Sequence, residues 1–369
     1  MNYLRDLLKN IDKTLLILPV IFAAISVVII GSTSYDQGFQ ITRDITVQLI
    51  AFFLGAIAIC VILLIDYKTF ESMERILYIG SILLLLAVYV PGLGKEQFGS
   101  NGWINLGPLD LQPSEIVKIT FILCFSRYLC RKREALLTFK GIILAAAYFM
   151  PFVFLVLIEP DLGNAVVLFV IAAVMIYAAG VKYKLFAQIA GAGIISLPII
   201  YRFMESHQKD RIDAFLNPDN LSLPGNYQVW NSKVAIGSGG LFGKGLFEGT
   251  QKSLKFLPVQ ESDFIFSVIV EELGFIGGAA IVGLYTIFLY RLVKIADNAK
   301  DLYGSLIVTG ILTMFGFQIF ENIAMTMGLM PVTGITLPFI SYGGSSVLTN
   351  MIALGLVLNV GIRSKVINF

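Results

Sequence analysis

Three carboxylates and a lysine stand where hydrocarbon is expected. Glu115 and Lys118 lie three residues apart in an apolar run, Asp161 opens another, and Asp263 opens a third beside Phe264 and Phe266. Ionisable residues at such depth are expensive and mark function by default. The spacing of Glu115 and Lys118 puts both on one helical face, so a mutual salt bridge is expected, and pairing does not exclude a role in a site. Asp161 and Asp263 each have a second reading, as the N-cap of the helix that follows. Asp263 also lies between a Gly-rich loop and lipid, where lost hydration raises a carboxyl pKa and suits the group to act as a base. Glu271 and Glu272 sit about two turns deeper on the same helix, and at least one must face protein.

Other chemistries have little to stand on. His207 is the single histidine, so a Ser-His-Asp triad or a histidine metal site would rest on one loop residue. Cys60, Cys124 and Cys130 form no CxxC pair and read as packing residues, giving neither a disulfide frame nor a thiolate zinc site. The SGGLFGKG run at 238–245 imitates a phosphate-binding loop but has Ser238 and Gly245 where that motif needs Gly and Ser or Thr. Its glycines are expected to permit tight turns or close backbone approach to a ligand. Acid–base work therefore falls to carboxylates, Lys or Tyr.

These residues must be positioned by membrane helices. Of 369 residues 57% are hydrophobic and only 14% charged, with a mean hydropathy of +0.81. A soluble domain carries roughly 25% charged residues, so soluble enzymes, nucleic-acid binders and disordered scaffolds are disfavoured. The net charge of +2 says little about partners. Ten segments are long and apolar enough to span: 14–30, 45–65, 75–90, 112–130, 141–158, 162–180, 185–201, 263–290, 303–325 and 346–362. The expected fold is an all-α polytopic membrane protein, a single domain over 1–369. Lys and Arg concentrate in alternate connections, at 68–75, 127–140, 182–184 and 291–300, and in the tail at 363–365. Both termini are therefore cytoplasmic, and one long outer loop, about 202–260, joins spans seven and eight.

With that topology the polar, Gly/Pro-rich segments all face outward: GSNGWINLGPLDLQ (99–112), EPDLGN (159–164), AIGSGGLFGKGLFEGTQ (235–251), LPVQESDFIF (257–266) and MPVTGITLPFISYGGSS (330–346). A site there has no ATP, so its substrate must bring its own leaving group.

These segments, in this order, resemble the successive signatures of the SEDS family (shape, elongation, division and sporulation), the family of RodA, FtsW and SpoVE. GTQ after the Gly-rich loop, RIDAFLNP (211–218) and the short termini look more like the RodA branch. The resemblance implies a peptidoglycan glycosyltransferase that polymerises lipid II at the outer face of the bacterial cytoplasmic membrane, with a class B penicillin-binding protein as partner. It assigns the catalytic carboxylate to Asp263, and supporting roles to Glu115, Lys118 and Asp161. Trp103, Arg211, Ser345 and Ser346 complete the set of expected substrate-binding or supporting residues. Departures are Val259, Glu261 and Ser262 around Gln260, where the family usually has Glu, His and Thr, and Glu159 and Asn164, where it usually has Gln and Thr.

The implied chemistry agrees with the residues. Undecaprenyl diphosphate is a leaving group that arrives with the substrate, and a sugar hydroxyl attacking an anomeric carbon needs a base such as Asp263. Lys118, Arg211 or a divalent cation, Mg²⁺ or Mn²⁺, could neutralise the departing diphosphate. A lipid II flippase is the alternative function, and a non-catalytic scaffold a weaker one. A flippase predicts polar residues through the full membrane depth, whereas here they gather outside.

Overall fold

The computed structural model describes residues 11–33, 42–97, 100–105, 110–185, 187–188, 191, 201–202, 206–223, 225–253 and 259–365. Helices form at nine of the ten expected spans: α1 (Lys13–Thr33), α2 (Arg43–Leu64), α3 (Glu74–Leu86), α4 (Pro113–Arg131), α5 (Phe139–Ile158), α6 (Leu162–Ala178), then α9 (Ile265–Asp297), α10 (Leu302–Thr326) and α11 (Gly344–Lys365). The tenth, 185–201, lies mostly outside the described residues. Two further helices, α7 (Ser206–Leu216) and α8 (Asn226–Ser238), belong to the long outer loop. Among the described residues six helices are long and apolar enough to cross a membrane on composition alone. The polar α4 is enclosed by its neighbours α3, α5, α6, α10 and α11, which is how a helix holding Glu115 and Lys118 is kept from lipid. Close packing of α2 on α11 depends on small residues: a Cβ at Gly55 would fall 2.6 Å from the Met351 side chain.

Two departures from straight spans build the outer half. α9 breaks at Gly274, whose φ of 69° and ψ of −170° no helix contains. A Cβ on Gly278 would lie 2.8 Å from Val270 Cγ2, although eight residues of straight helix separate atoms by about 12 Å. The nine residues before Gly274 thus fold back on the helix that follows, as a re-entrant half-helix. The Gly-rich loop closes this bend. Lys244 and Gly245 donate backbone N–H groups to the carbonyls of Glu271 and Glu272, and Phe275 donates to Gly240. A Cβ at Gly239 would fall 2.1 Å from the Val270 carbonyl oxygen, and one at Gly243 2.0 Å from that of Glu272. The expected close approach is real, but the partner is the protein's own broken helix rather than a ligand. Both acids of that turn are buried: Lys244 Nζ donates to Glu271 at 2.7 Å, and Ser32 Oγ donates to Glu272.

The second departure is the 331–343 connection, which dips below the outer helix ends. Ser26, two turns inside α1, donates its hydroxyl to the Ile340 carbonyl at 2.7 Å. Gln48 donates to Ser341 O at 2.9 Å and accepts from Gly343 N, and Tyr285 Oη donates to Pro338 O at 2.5 Å. Irregular backbone survives at this depth because side chains of α1, α2 and α9 satisfy it. Phe339 is held at a φ of 64° by stacking between Phe22 and Phe315 and by an edge contact with Phe288.

The 94–111 segment, expected only as a polar loop, pairs as an antiparallel sheet of β1 (Gly94–Gln97), β2 (Ser100–Asn105) and β3 (Asp110–Leu111). Lys95 lies opposite Trp103, and Asn105 opposite Asp110. Strands this short are stabilised by the partner strand and underlying protein, neither of which a local pattern reveals.

Candidate active site

An outward cavity of about 580 Å³ collects the ends of these elements. Of the expected residues it is lined by Trp103, Glu115, Asp161, Arg211, Asp263 and Ser346; Lys118 and Ser345 lie just outside its wall. The segments that look scattered along the chain therefore meet at one place, over the membrane-buried helices.

Asp263 stands in the turn ahead of α9. The N-cap position of that helix is Phe264, and no side-chain capping bond forms there, so the capping reading of Asp263 fails. Its Oδ1 accepts from Ser262 Oγ at 2.7 Å, and its Oδ2 points at Gly334, 3.5 Å from where a Cβ would stand. Dense surroundings desolvate the group and push its pKa above the ordinary carboxylate value; Ser262 and the Arg211 guanidinium act against this, and Glu261 with it. The carboxylate is presented by a stitched backbone. Ser341 Oγ donates to Ser262 O, Tyr342 N to Glu261 O at 2.8 Å, and Asn322 Nδ2 to both Asp263 O at 3.0 Å and Ile335 O at 2.8 Å. A base fixed on rigid elements in a poorly hydrated pocket is what proton abstraction from a hydroxyl needs.

Asp161 does cap its helix, accepting from Asn164 N at 3.0 Å through Oδ1. Its Oδ2 accepts three further donors: Gln112 Nε2 at 2.9 Å, Ser114 Oγ at 3.2 Å and Asn164 Nδ2 at 2.8 Å. With both oxygens engaged it is a hub that ties α4 to α6. Lys118 and Glu115 pair at 2.6 Å, and the ammonium also donates to Asn164 Oδ1 at 2.9 Å. Lys118 is fully buried below the cavity and held by these partners, so it is not placed to meet a diphosphate directly. Glu115 Oε2 is buried without a hydrogen-bond partner, at the cavity edge.

Arg211, on α7, donates Nη1 to the Thr333 carbonyl at 3.2 Å, one residue from the Gly334 that faces Asp263. Ser345 latches the sheet to α11, donating to Asp110 O at 2.8 Å and accepting from Gln112 N at 2.9 Å. Ser346 shares a hydrogen bond with Thr336 at 2.7 Å on the cavity wall. Trp103 projects from β2 into the same space, partly buried.

Sequence reasoning passed over Glu321 and Asn322 of α10, Gln112, and Lys233 of α8. Asn322 clamps the Asp263 backbone, while Glu321 accepts the Thr333 hydroxyl and fixes the strip that Arg211 grips. Two adjacent polar residues near the end of an apolar span were a legible signal. Lys233 offered none, being one basic residue in a long outer loop. Below the cavity the helices close tightly, since a Cβ at Gly310 would fall 2.8 Å from Ile122 Cγ2 and 2.9 Å from Met175 Sδ.

Residues 9–366 match the family of FtsW, RodA and SpoVE, described as cell cycle proteins. The chain is 35% identical to the stage V sporulation protein E of Bacillus subtilis, over 96% of this chain and 98% of that one. It is 35% identical to a probable peptidoglycan glycosyltransferase FtsW of Saccharophagus degradans, over 96% and 93%. It is 30% identical to the peptidoglycan glycosyltransferase RodA of Treponema pallidum, over 96% and 98%. Among solved structures, RodA of Thermus thermophilus superposes with a TM-score of 0.71 at 29% identity, over 97% of this chain and 98% of that one. A chain from a peptidoglycan synthase complex that coordinates polymerization and crosslinking gives 0.79 at 29%, over 96% and 99%. The chain belongs to the FtsW, RodA and SpoVE (SEDS) family, as a multi-pass protein of the bacterial cytoplasmic membrane.

Proposed function

We propose that this protein polymerises lipid II into β-1,4-linked glycan strands at the outer face of the membrane, in the service of cell elongation and shape. The observation that carries the reading is Asp263. It is a carboxylate of raised pKa, rigidly presented into an outward cavity that a cation shares, in a chain whose full-length relatives include named peptidoglycan glycosyltransferases. Asp263 takes the proton from the 4-hydroxyl of the acceptor sugar as that oxygen bonds to the donor's anomeric carbon. The bond from that carbon to the diphosphate oxygen breaks with inversion, and undecaprenyl diphosphate departs with the electron pair. Arg211, on the same wall, offsets the charge that develops on the leaving group. Among the described residues no three or more His, Cys, Asp or Glu side chains gather into a group able to hold a metal. A divalent cation serving here would take most of its oxygens from the substrate diphosphate. The elongation assignment is supported by the RodA-like GTQ and RIDAFLNP segments, and a class B penicillin-binding protein is the proposed transpeptidase partner.

Purified protein incubated with lipid II is expected to yield a ladder of glycan strands on a gel. Translocation of lipid II across vesicles without any polymer would instead establish the flippase reading.

A further inference from the structure

Resting on the glycosyl-transfer reading, we infer that Lys233 and Arg211 together form the phosphate-binding end of the cavity, with Lys233 as the cation that a prenyl-linked diphosphate meets. The three cations near the site differ in what they are free to do. Lys118 is sealed beneath the wall against Glu115 and Asn164. Arg211 is on the wall with one nitrogen committed to a carbonyl. Lys233 also lines the cavity, is exposed, and forms no ion pair with a carboxylate among the described residues.

Its position follows from the 328–334 strip. The Lys233 ammonium lies over Gly328, 3.5 Å from where a Cβ would stand, Arg211 reaches the Thr333 carbonyl, and Asp263 faces Gly334. One strip thus carries, in order, an exposed ammonium, a guanidinium and the base. That order suits a donor whose anomeric carbon sits beside the base and whose diphosphate extends away from it. Gly328 is at a φ of +73°, which favours glycine, and a Cβ there would fall 3.1 Å from Val229 Cγ1 and in ordinary contact with the Lys233 side chain.

The helix beneath Lys233 is firmly held. Ser232 Oγ donates to Thr326 O at 2.6 Å and shares a hydrogen bond with Ser267, which bolts α8 to α9 and α10. On the same helix Tyr227 and Trp230 are half exposed, 47% each. Amphipathic aromatics of this kind sit at headgroup level, the depth at which the phosphates of a membrane-anchored substrate travel. An ammonium is a compact donor to phosphate oxygens, complementing the planar guanidinium beside it. The neighbouring end of α10 also attracts positive charge, so a purely structural role is the competing account and the test must separate the two.

The full chain in detergent micelles is titrated calorimetrically with farnesyl diphosphate, beside Lys233→Met, which keeps the alkyl stem, and Lys233→Arg, which keeps the charge. Lys233→Met is expected to weaken binding about 10-fold or more, and Lys233→Arg by less than about 3-fold. The KM for lipid II should rise in Lys233→Met more than kcat falls. Farnesyl monophosphate should bind more weakly than the diphosphate, and added phosphatidylglycerol should not compete; equal competition by phosphatidylglycerol would overturn the assignment in favour of a phospholipid headgroup site. Unchanged affinity in Lys233→Met, with or without a lower Tm, would also overturn it. Should Lys233→Met fail to accumulate, Lys233→Gln carries the same comparison. Lysine-dependent diphosphate binding by a protein that makes no glycan would retain this site while refuting the polymerase reading.

Discussion

Replacing Glu159 by Gln should stabilise the protein, and the pH dependence of the gain is its signature. Glu159 is fully buried at the end of α5, in the turn before Asp161. Burial pushes its carboxyl from an ordinary value of 4.5 up to about 8, and the charge of Asp161 adds to the rise. A group that ionises more readily in the unfolded chain favours the native state least when it must be charged. Its contribution is therefore fully present below about 4.5, is lost as pH climbs toward about 8, and is flat above. At pH 7, ionisation in the unfolded chain near 4.5 against the folded value of about 8 amounts to about 3 kcal/mol. Glu159→Gln keeps the shape and removes the charge. Thermal melts of the two proteins in one detergent, from pH 4.5 to 8.5, should nearly coincide at the acid end and separate by several degrees at the alkaline end. A gap independent of pH, or a variant less stable at pH 8, would refute the argument from burial.

Removing Lys118 alone leaves Glu115 buried and unpaired, so Lys118→Ala should cost about 3–5 kcal/mol, and adding Glu115→Ala should return part of it; additive losses in the double-mutant cycle would exclude a direct pair. Gly243→Ala drives a Cβ to 2.0 Å from the Glu272 carbonyl at a φ of +82°, and is expected to lose more than about 2 kcal/mol. Gly237→Ala, with open space around it in α8, should be neutral or stabilising by up to about 1 kcal/mol in the same melts, and similar losses at both positions would contradict the helix-break packing. In a background lacking Cys60, Cys124 and Cys130, Phe242→Cys, 80% exposed on the outer loop, should react with an impermeant thiol reagent on intact cells. Lys132→Cys should react only after lysis, and labelling of position 132 from outside would invert the topology.

Much of this molecule is written locally. Hydropathy and the alternation of Lys and Arg are properties of short windows, so the spans, their orientation and the outward grouping of polar segments could be read directly. Glu115, Lys118, Asp161 and Asp263 stood out because a charge in an apolar run is anomalous wherever it occurs. What stayed hidden depends on distant partners. The fold-back at Gly274 exists because Gly239 and Gly243 let another loop into the gap, and neither segment alone shows it. Asp161 and Asp263 presented the same loop-to-helix pattern, yet one caps and the other does not, since the helix after Asp263 starts at Ile265 and puts Phe264 in the N-cap position. Asn322 reads as a polar interruption of a span until the Asp263 carbonyl is found against it.

If Asp263 is the base, Asp263→Asn must abolish most of the glycan synthesis while leaving the fold intact. The variant keeps size and the Ser262 contact while losing a charge that its surroundings disfavour, so it should fold normally with a Tm equal to or above that of the parent. Polymerisation of purified lipid II should fall by roughly 100-fold or more, the usual worth of a general base. The parent should lose activity in acid at a pH above the ordinary carboxylate range, as the raised carboxyl takes up its proton. Near-normal glycan synthesis by Asp263→Asn would contradict the account and shift the search for the base to Asp161.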